Sequence, residues 1–393
     1  MGYDADLSFL FYTPTRIVFG ANSANDVAVE LQNLGCTKAV IVADPFLHAK
    51  TDIIAKIEKK LGAMSVGVFS EIPSDSGVHV INKGYAFAKS RGAEGVVSVG
   101  GGSVIDTAKG IAILLKEGGK LEDYQGFQVL NRKVVPHICI PTTAGTGSEV
   151  TYVAVVKDHE KKQKLLFGDH HIVPDVAILD PVLTLDLPPG MTAATGMDAL
   201  SHAIESISSA QREPMSDALA LHAIRLIKKW LPIAVKDGKN LIARGQMLIA
   251  ATIAGAAFSN AQVGLVHAIA HTVGARHGVH HGLANAVAMP YVIRYNNSDI
   301  AEQNAMIAEA LGVDTRRLTA EQAGLAAADA VLALNYELGL PTTLKEVGVP
   351  EADLEACAQV AISDGAIVYN GKPVFDPAEV LIVLREAWSG TAA

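Results

Sequence analysis

The chain has 393 residues, half of them hydrophobic and 19% charged, which suits two domains, each with a sizeable core. A formal charge of −9 with no basic cluster argues against nucleic acid as a partner. Three scattered cysteines (Cys36, Cys139, Cys357) read as reduced cytoplasmic thiols, and no signal peptide, myristoylation signal or membrane span is expected from an acidic start without a long apolar run.

The first part alternates short β-branched runs with helical stretches. Arg16–Phe19 reads as a strand ended by Gly20, and 26–34 as a helix closing at Gly35. Residues 38–43 (KAVIVA) form a continuous apolar run, the pattern of a strand buried on both faces. A helix over 52–61, a strand over Ser65–Phe69, a helix over Val78–Ser90 and a buried strand over 95–99 (GVVSV) follow. This β-α-β-α order implies a parallel sheet covered by helices.

GVVSV runs into Gly100, Gly101, Gly102 and Ser103, then into the helical VIDTAKGIAILL. Such a turn lets backbone approach a phosphate at a helix N-terminus, or is simply a tight turn with Ser103 and Asp106 at capping spacing. It is not G-x-G-x-x-G, and no acid ends a following strand at the usual distance. The candidate ribose-binding acid, Asp44, comes earlier, at the end of KAVIVA. A strand at 137–140 leads into the hydroxyl-rich loop 141–149, either a wrap for ribose or nicotinamide or a plain surface turn. The charged stretch 157–164 reads as a solvated hairpin, and Val176–Leu179 as a strand.

Leu187, Pro188, Pro189 and Gly190 mark a domain boundary, giving domains over 1–187 and 188–393. Beyond it the pattern is helical: 195–208, 214–230, 241–258, 262–273, 300–311, 320–338, 351–362 and 377–388. Residues 264–285 hold five of the chain's thirteen histidines: His267, His271, His277, His280 and His281. His267 and His271 lie four apart on one helix face, and the glycines that follow can turn His281 back toward it. In 196–205, Asp198 and His202 are also four apart. An i, i+4 histidine pair arises easily by chance. Two helices each offering a pair of donors can nonetheless enclose one ion, and one carboxylate with imidazoles suits Fe(II), Zn(II), Co(II) or Ni(II). A crevice between the halves would hold a dinucleotide facing that ion.

The chain resembles the iron-dependent, group III alcohol dehydrogenases. The resemblance covers almost its whole length and is carried by GGGSVIDTAK (100–109), PTTAGTGSEVT (141–151), ATGMDALSHAIE (194–205), GLVHAIAH (264–271) and HGLANAV (281–287). It implies a dehydroquinate synthase-like fold: an α/β N-terminal dinucleotide-binding domain with a parallel sheet, and an all-α C-terminal metal-binding domain. It implies metal ligation by Asp198, His202, His267 and His281. The pyrophosphate of NAD would rest on Gly101, Gly102 and Ser103 with Asp106 nearby, bordered by Thr142, Thr143 and Thr146, with Lys164 approaching the ribose. Asp44 would favour NAD over NADP by repelling a 2′-phosphate. His271 would take a substrate or proton-relay role.

The implied activity is hydride transfer between a short primary alcohol or diol, or its aldehyde in reverse, and NAD(H). Fe(II) is the implied metal, with Zn(II) or another divalent ion as the alternative. Relatives form dimers and larger rings, so a homo-oligomer is expected, with neither nucleic acid nor membrane as a partner. This chain departs from the family at His280, just before the ligating histidine, and at Arg276 and His277, which alter the charge expected around the pocket. A glycerol dehydrogenase-like or dehydroquinate synthase relative is the nearest alternative, but the latter needs several basic residues, which the second-half motifs do not supply. A catalytically silent nucleotide- or metal-binding protein is the alternative of another class. Intact candidates at every metal and cofactor position argue against it.

Overall fold

The computed structural model describes residues 7–73, 76–158 and 163–391. Residues 1–6, on which the expectation of no leader or lipid signal partly rests, lie outside the described residues, as do 159–162 of the expected charged hairpin. The chain divides into two compact units. One holds Thr13–Leu187 and Lys239–Thr252; the other holds the described residues up to Tyr12, Pro188–Gly238 and the chain from Ile253 onward. The break at Leu187 is thus one of several crossings.

The α/β unit contains β1 (Arg16–Phe19), α1 (Val27–Asn33), β2 (Ala39–Ala43), α2 (Pro45–Lys50), α3 (Ile53–Leu61), β3 (Ser65–Phe69), α4 (Val78–Ser90), β4 (Gly95–Gly100) and α5 (Gly102–Glu117). It continues with β5 (Gly126–Phe127), β6 (His137–Pro141), β7 (Val153–Asp158), β8 (Gln163–Gly168) and β9 (Val176–Leu179). Six strands form one sheet in the order β1-β9-β6-β4-β2-β3, every pair parallel. Strand β2 is buried throughout, as its unbroken apolar run predicts. Val40 and Val42 face one core with Val80, Ile81, Ala108 and Ile111 of α4 and α5. Ala39, Ile41 and Ala43 face the other, with Val27, Leu31, Ile54 and Ile57 of α1 and α3.

The chain steps from β2 to β3 on one side, then places β4 on the other side of β2. In open parallel sheets, ligands bind at the carboxyl ends of strands where the order reverses in this way. Asp44 follows β2 and the glycine turn follows β4, so both lie at that reversal. Strands β7 and β8 pair antiparallel, Val153 opposite Gly168 and Asp158 opposite Gln163, arms that the local pattern of the sequence does not mark.

The helical unit holds α6 (Pro189–Ser208), α7 (Pro214–Lys236), the end of α8 (Leu241–Ala261), α9 (Leu265–His277), α10 (His281–Asn296), α11 (Ala301–Ala310), α12 (Ala320–Glu337), α13 (Leu354–Ala361) and α14 (Pro377–Ser389). Every residue from Thr192 to Ser208 is buried, so α6 has no solvent face and its polar groups point into protein. Helix α8 is long and apolar enough to cross a membrane, with a mean hydropathy of 1.5, yet 67% of that window is buried inside the protein, as in a core helix. Helix α10 was not read from sequence. Gly282 and Pro290 interrupt its pattern, and its nearly complete burial removes the amphipathic contrast that marks a helix.

Candidate metal centre and dinucleotide cradle

In the helical unit, Asp198 on α6, His267 on α9 and His281 on α10 offer ligand atoms that all lie within 4.8 Å of one another. Asp198 Oδ1 is 3.4 Å from His281 Nε2. The convergence depends on Gly282. A Cβ there would stand 2.2 Å from the Ala194 carbonyl oxygen, so only glycine lets α10 lie this close to α6. Gly278, left-handed at φ 69°, ends α9 and permits the reversal between α9 and α10. His280 is exposed at the N-cap of α10, and His281 is the adjacent histidine that faces Asp198.

His202, one turn beyond Asp198, stands beside this trio. Its ring stacks on Phe258 with centroids 4.2 Å apart and on His267 at 4.7 Å. His271 stacks on His281 at 5.4 Å and donates its Nδ1–H to Asp364 Oδ2 at 2.9 Å.

Three supporting residues were not singled out from the sequence. Glu205, buried one turn from His202, accepts hydrogen bonds from the Val266 and His267 amides and from His267 Nδ1, the last at 2.5 Å. This fixes the tautomer of His267 with a bare Nε2. Burial pushes the Glu205 carboxyl up to about 7, against the hydrogen bonds that favour its charged form. Asn285 Nδ2 donates to Asp198 Oδ1 at 2.8 Å and to His281 Nε2 at 3.2 Å, and is 3.5 Å from His267 Nε2. Its buried Oδ1 has no hydrogen-bond partner. Asp364, the third, also accepts from the Ala366 amide. Glu205 and Asn285 lie inside quoted motifs but carry no distinctive spacing, and Asp364 is 93 residues from the histidine it holds.

Arg276 and His277 both turn to Asp353. Arg276 donates from Nε and Nη2 at 2.8 and 2.6 Å, and His277 Nε2 is 2.7 Å away. The Arg276 charge is met locally by this carboxylate.

In the α/β unit the glycine turn differs from the capping reading. Helix α5 begins at Gly102 with Gly101 as its N-cap, and no side chain caps it. Ser103 is already inside the first turn. Asp106 instead accepts from Ser148 Oγ at 2.6 Å and from the Val155 amide at 3.0 Å. With no side-chain cap, the N-terminus of α5 and the positive end of its dipole suit an anion. A Cβ on Gly102 would stand 2.7 Å from Thr146 Cγ2, and one on Gly101 would stand 3.2 Å from Thr143 Oγ1. The Thr143–Thr146 loop thus lies against the turn only because both are glycine. Thr142 is buried and its amide donates to the Gly100 carbonyl.

Lys109, fully buried, ties this loop down. Its Nζ donates to Ser148 Oγ, to Thr151 O and Oγ1, and to Val153 O at 2.7 Å. Burial lowers its pKa and raises those of Asp106 and Glu149. Lys164 is exposed on β8, with its charge acting on Asp106. Asp44 caps α2, its Oδ1 accepting from the Phe46 and Leu47 amides.

Residues 14–181 match the family described as iron-containing alcohol dehydrogenase, and 192–388 match its C-terminal part, the Fe-containing alcohol dehydrogenase family, C-terminal. The chain is 40% identical over 356 residues to the NAD-dependent methanol dehydrogenase of Bacillus methanolicus, covering 90% of this chain and 93% of that protein. A crystal structure of 1,3-propanediol oxidoreductase superimposes with a TM-score of 0.94 at 36% identity, over 97% of this chain and all of that one. Sulfoacetaldehyde reductase from Bifidobacterium kashiwanohense, solved with NAD+, gives 0.88 at 28% identity, over 98% of this chain and all of that one.

Proposed function

The chain belongs to the iron-containing alcohol dehydrogenase family, and from that premise we propose that it interconverts a short primary alcohol or diol and its aldehyde with NAD(H). The observation that carries this is the convergence of Asp198, His267 and His281 from three helices.

The donor set fits a divalent cation. Glu205 leaves His267 with a bare Nε2, and Asn285 presents an N–H where those lone pairs converge. His202 is the fourth ligand in this reading. Asp198, His202, His267 and His281 would hold the cation, which would supply Lewis acidity at the substrate oxygen, and the dinucleotide would supply the redox chemistry.

The chain's own residues do the rest. Gly101, Gly102 and Ser103 offer α5 backbone N–H groups to a pyrophosphate, and Thr142, Thr143 and Thr146 border the cofactor. Lys109 and Asp106 act on the cofactor by holding that loop. Asp44, at the end of β2, presents its remaining oxygen to the adenosine ribose, and Lys164 approaches the cofactor from β8. His271, its Nδ1–H held by Asp364, keeps a bare Nε2 that takes the hydroxyl proton toward solvent.

Fe(II) is the metal proposed, on the strength of the family. Homo-oligomerisation is proposed through edge strand β1, which exposes Ile17 and Phe19.

The test is anaerobic assay of the Fe(II)-loaded protein with NAD and short primary alcohols and diols, followed at the NADH absorbance. Turnover with these substrates is expected. NAD binding without turnover on any of them, or on the matching aldehydes, would remove the assignment.

A further inference from the structure

A second group of metal-ligating side chains lies apart from the Asp198 trio. His277 ends α9, Asp353 closes the short turn Glu351–Asp353, and Cys357 lies four residues on, in α13. Their ligand atoms are all within 4.8 Å of one another. Cys357 Sγ is 3.7 Å from His277 Nε2 and 3.6 Å from Asp353 Oδ2, and Nε2 is 2.7 Å from Oδ2.

We propose that His277, Asp353 and Cys357 form a second cation site, for a borderline ion such as Zn(II) or Co(II). A tetrahedral ion at ordinary bond lengths sets its S···N and S···O edges at about 3.6 Å and its N···O edge at about 3.4 Å. Both sulfur edges already match. The N···O edge is short because a proton joins the two atoms, and it opens by about 0.7 Å when that proton is replaced by an ion.

One sulfur, one imidazole and one carboxylate select Zn(II) or Co(II) over Mg(II) or Ca(II), which prefer oxygen. The sulfur is fully buried, whereas the Asp353 side chain is 25% exposed, so the ion enters from the carboxylate side and water completes the shell. Arg276 Nη2 occupies Oδ1, the oxygen the ion does not need, and its half-exposed guanidinium is free to release Nε from Oδ2. On binding, the Cys357 thiol gives its proton to solvent. The proton shared between His277 and Asp353 moves to Nδ1 or leaves. The metal charge drives both losses, with no change of oxidation state. The ion then clips the end of α9 to α13.

The Asp198 trio contains no sulfur, which makes the test specific. Metal-stripped full-length protein is titrated with Co(II), reading stoichiometry and near-ultraviolet thiolate-to-cobalt charge transfer. A second equivalent and a thiolate band are expected. Cys357→Ser should lose the band and one equivalent, and Asp198→Ala should keep the band and lose the other. His277→Ala should also lose the band, in a protein whose circular dichroism matches wild type. A wild-type protein with no thiolate band, or a band that survives Cys357→Ser, overturns the site.

Discussion

Asp364 Oδ2 accepts the Nδ1–H of His271 at 2.9 Å, joining residues 93 apart in sequence. The carboxylate leaves the other ring nitrogen as a lone pair, in a ring stacked on His281. Asp364→Asn frees the imidazole to adopt the wrong tautomer. We expect kcat to fall by about 10- to 100-fold with metal content unchanged, a milder loss than the roughly 100-fold or more expected of His271→Ala. Turnover unchanged across pH in His271→Ala would take this histidine out of the mechanism.

Gly282 sets the separation of α6 and α10. In Gly282→Ala the new methyl meets the backbone of Ala194, which cannot rotate away, and Asp198 Cβ lies 3.4 Å from the same position. The helices must separate, costing about 1–3 kcal/mol in stability and weakening metal retention together. Denaturant melts and metal analysis of the purified variant check this. Wild-type values in both would show that the close approach is not needed.

Asp44 has two tasks, so its replacement must keep one of them. Serine still caps α2 but carries no charge to repel a 2′-phosphate. Asp44→Ser is expected to raise kcat/KM with NADP relative to NAD at little cost in melting temperature. An unchanged cofactor ratio would remove Asp44 from cofactor selection.

His137 opens β6 and is buried within the sheet, its Nε2 2.9 Å from Ser98 Oγ. Burial lowers its pKa from 6.5 to about 3, with the Lys109 charge acting in the same direction. The folded protein therefore keeps the ring neutral while the unfolded chain takes up a proton below 6.5. Stability is full above that pH and is lost as pH falls toward 3, on the order of 3 kcal/mol by about pH 4. Urea melts at neutral and acidic pH should show a smaller pH difference in His137→Gln than in wild type. An equal difference would assign the acid sensitivity elsewhere.

The parallel sheet was legible because its strands are short β-branched runs separated by helices of clear period. Strands Arg16–Phe19 and Ser65–Phe69 and helix Val78–Ser90 fall where the pattern places them. Helix α10 was not, since a buried helix containing Gly282 and Pro290 has no polar face to set its period. The reading of Ser103 and Asp106 as a cap failed for a related reason. Spacing alone does not show that the helix starts two residues earlier, or that Asp106 has partners 42 and 49 residues away.

By itself the sequence determined which residue types were available for the chemistry and on which local elements they sit, because periodicity and turn residues act over a few positions. Only the tertiary structure decided which of them meet. Asp198 faces His281 because a glycine admits a neighbouring carbonyl, Glu205 orients His267, Asp364 holds His271, and Arg276 with His277 turns to Asp353. Each of these pairings is set by helix packing between distant segments, and no local pattern in the chain encodes such a distance.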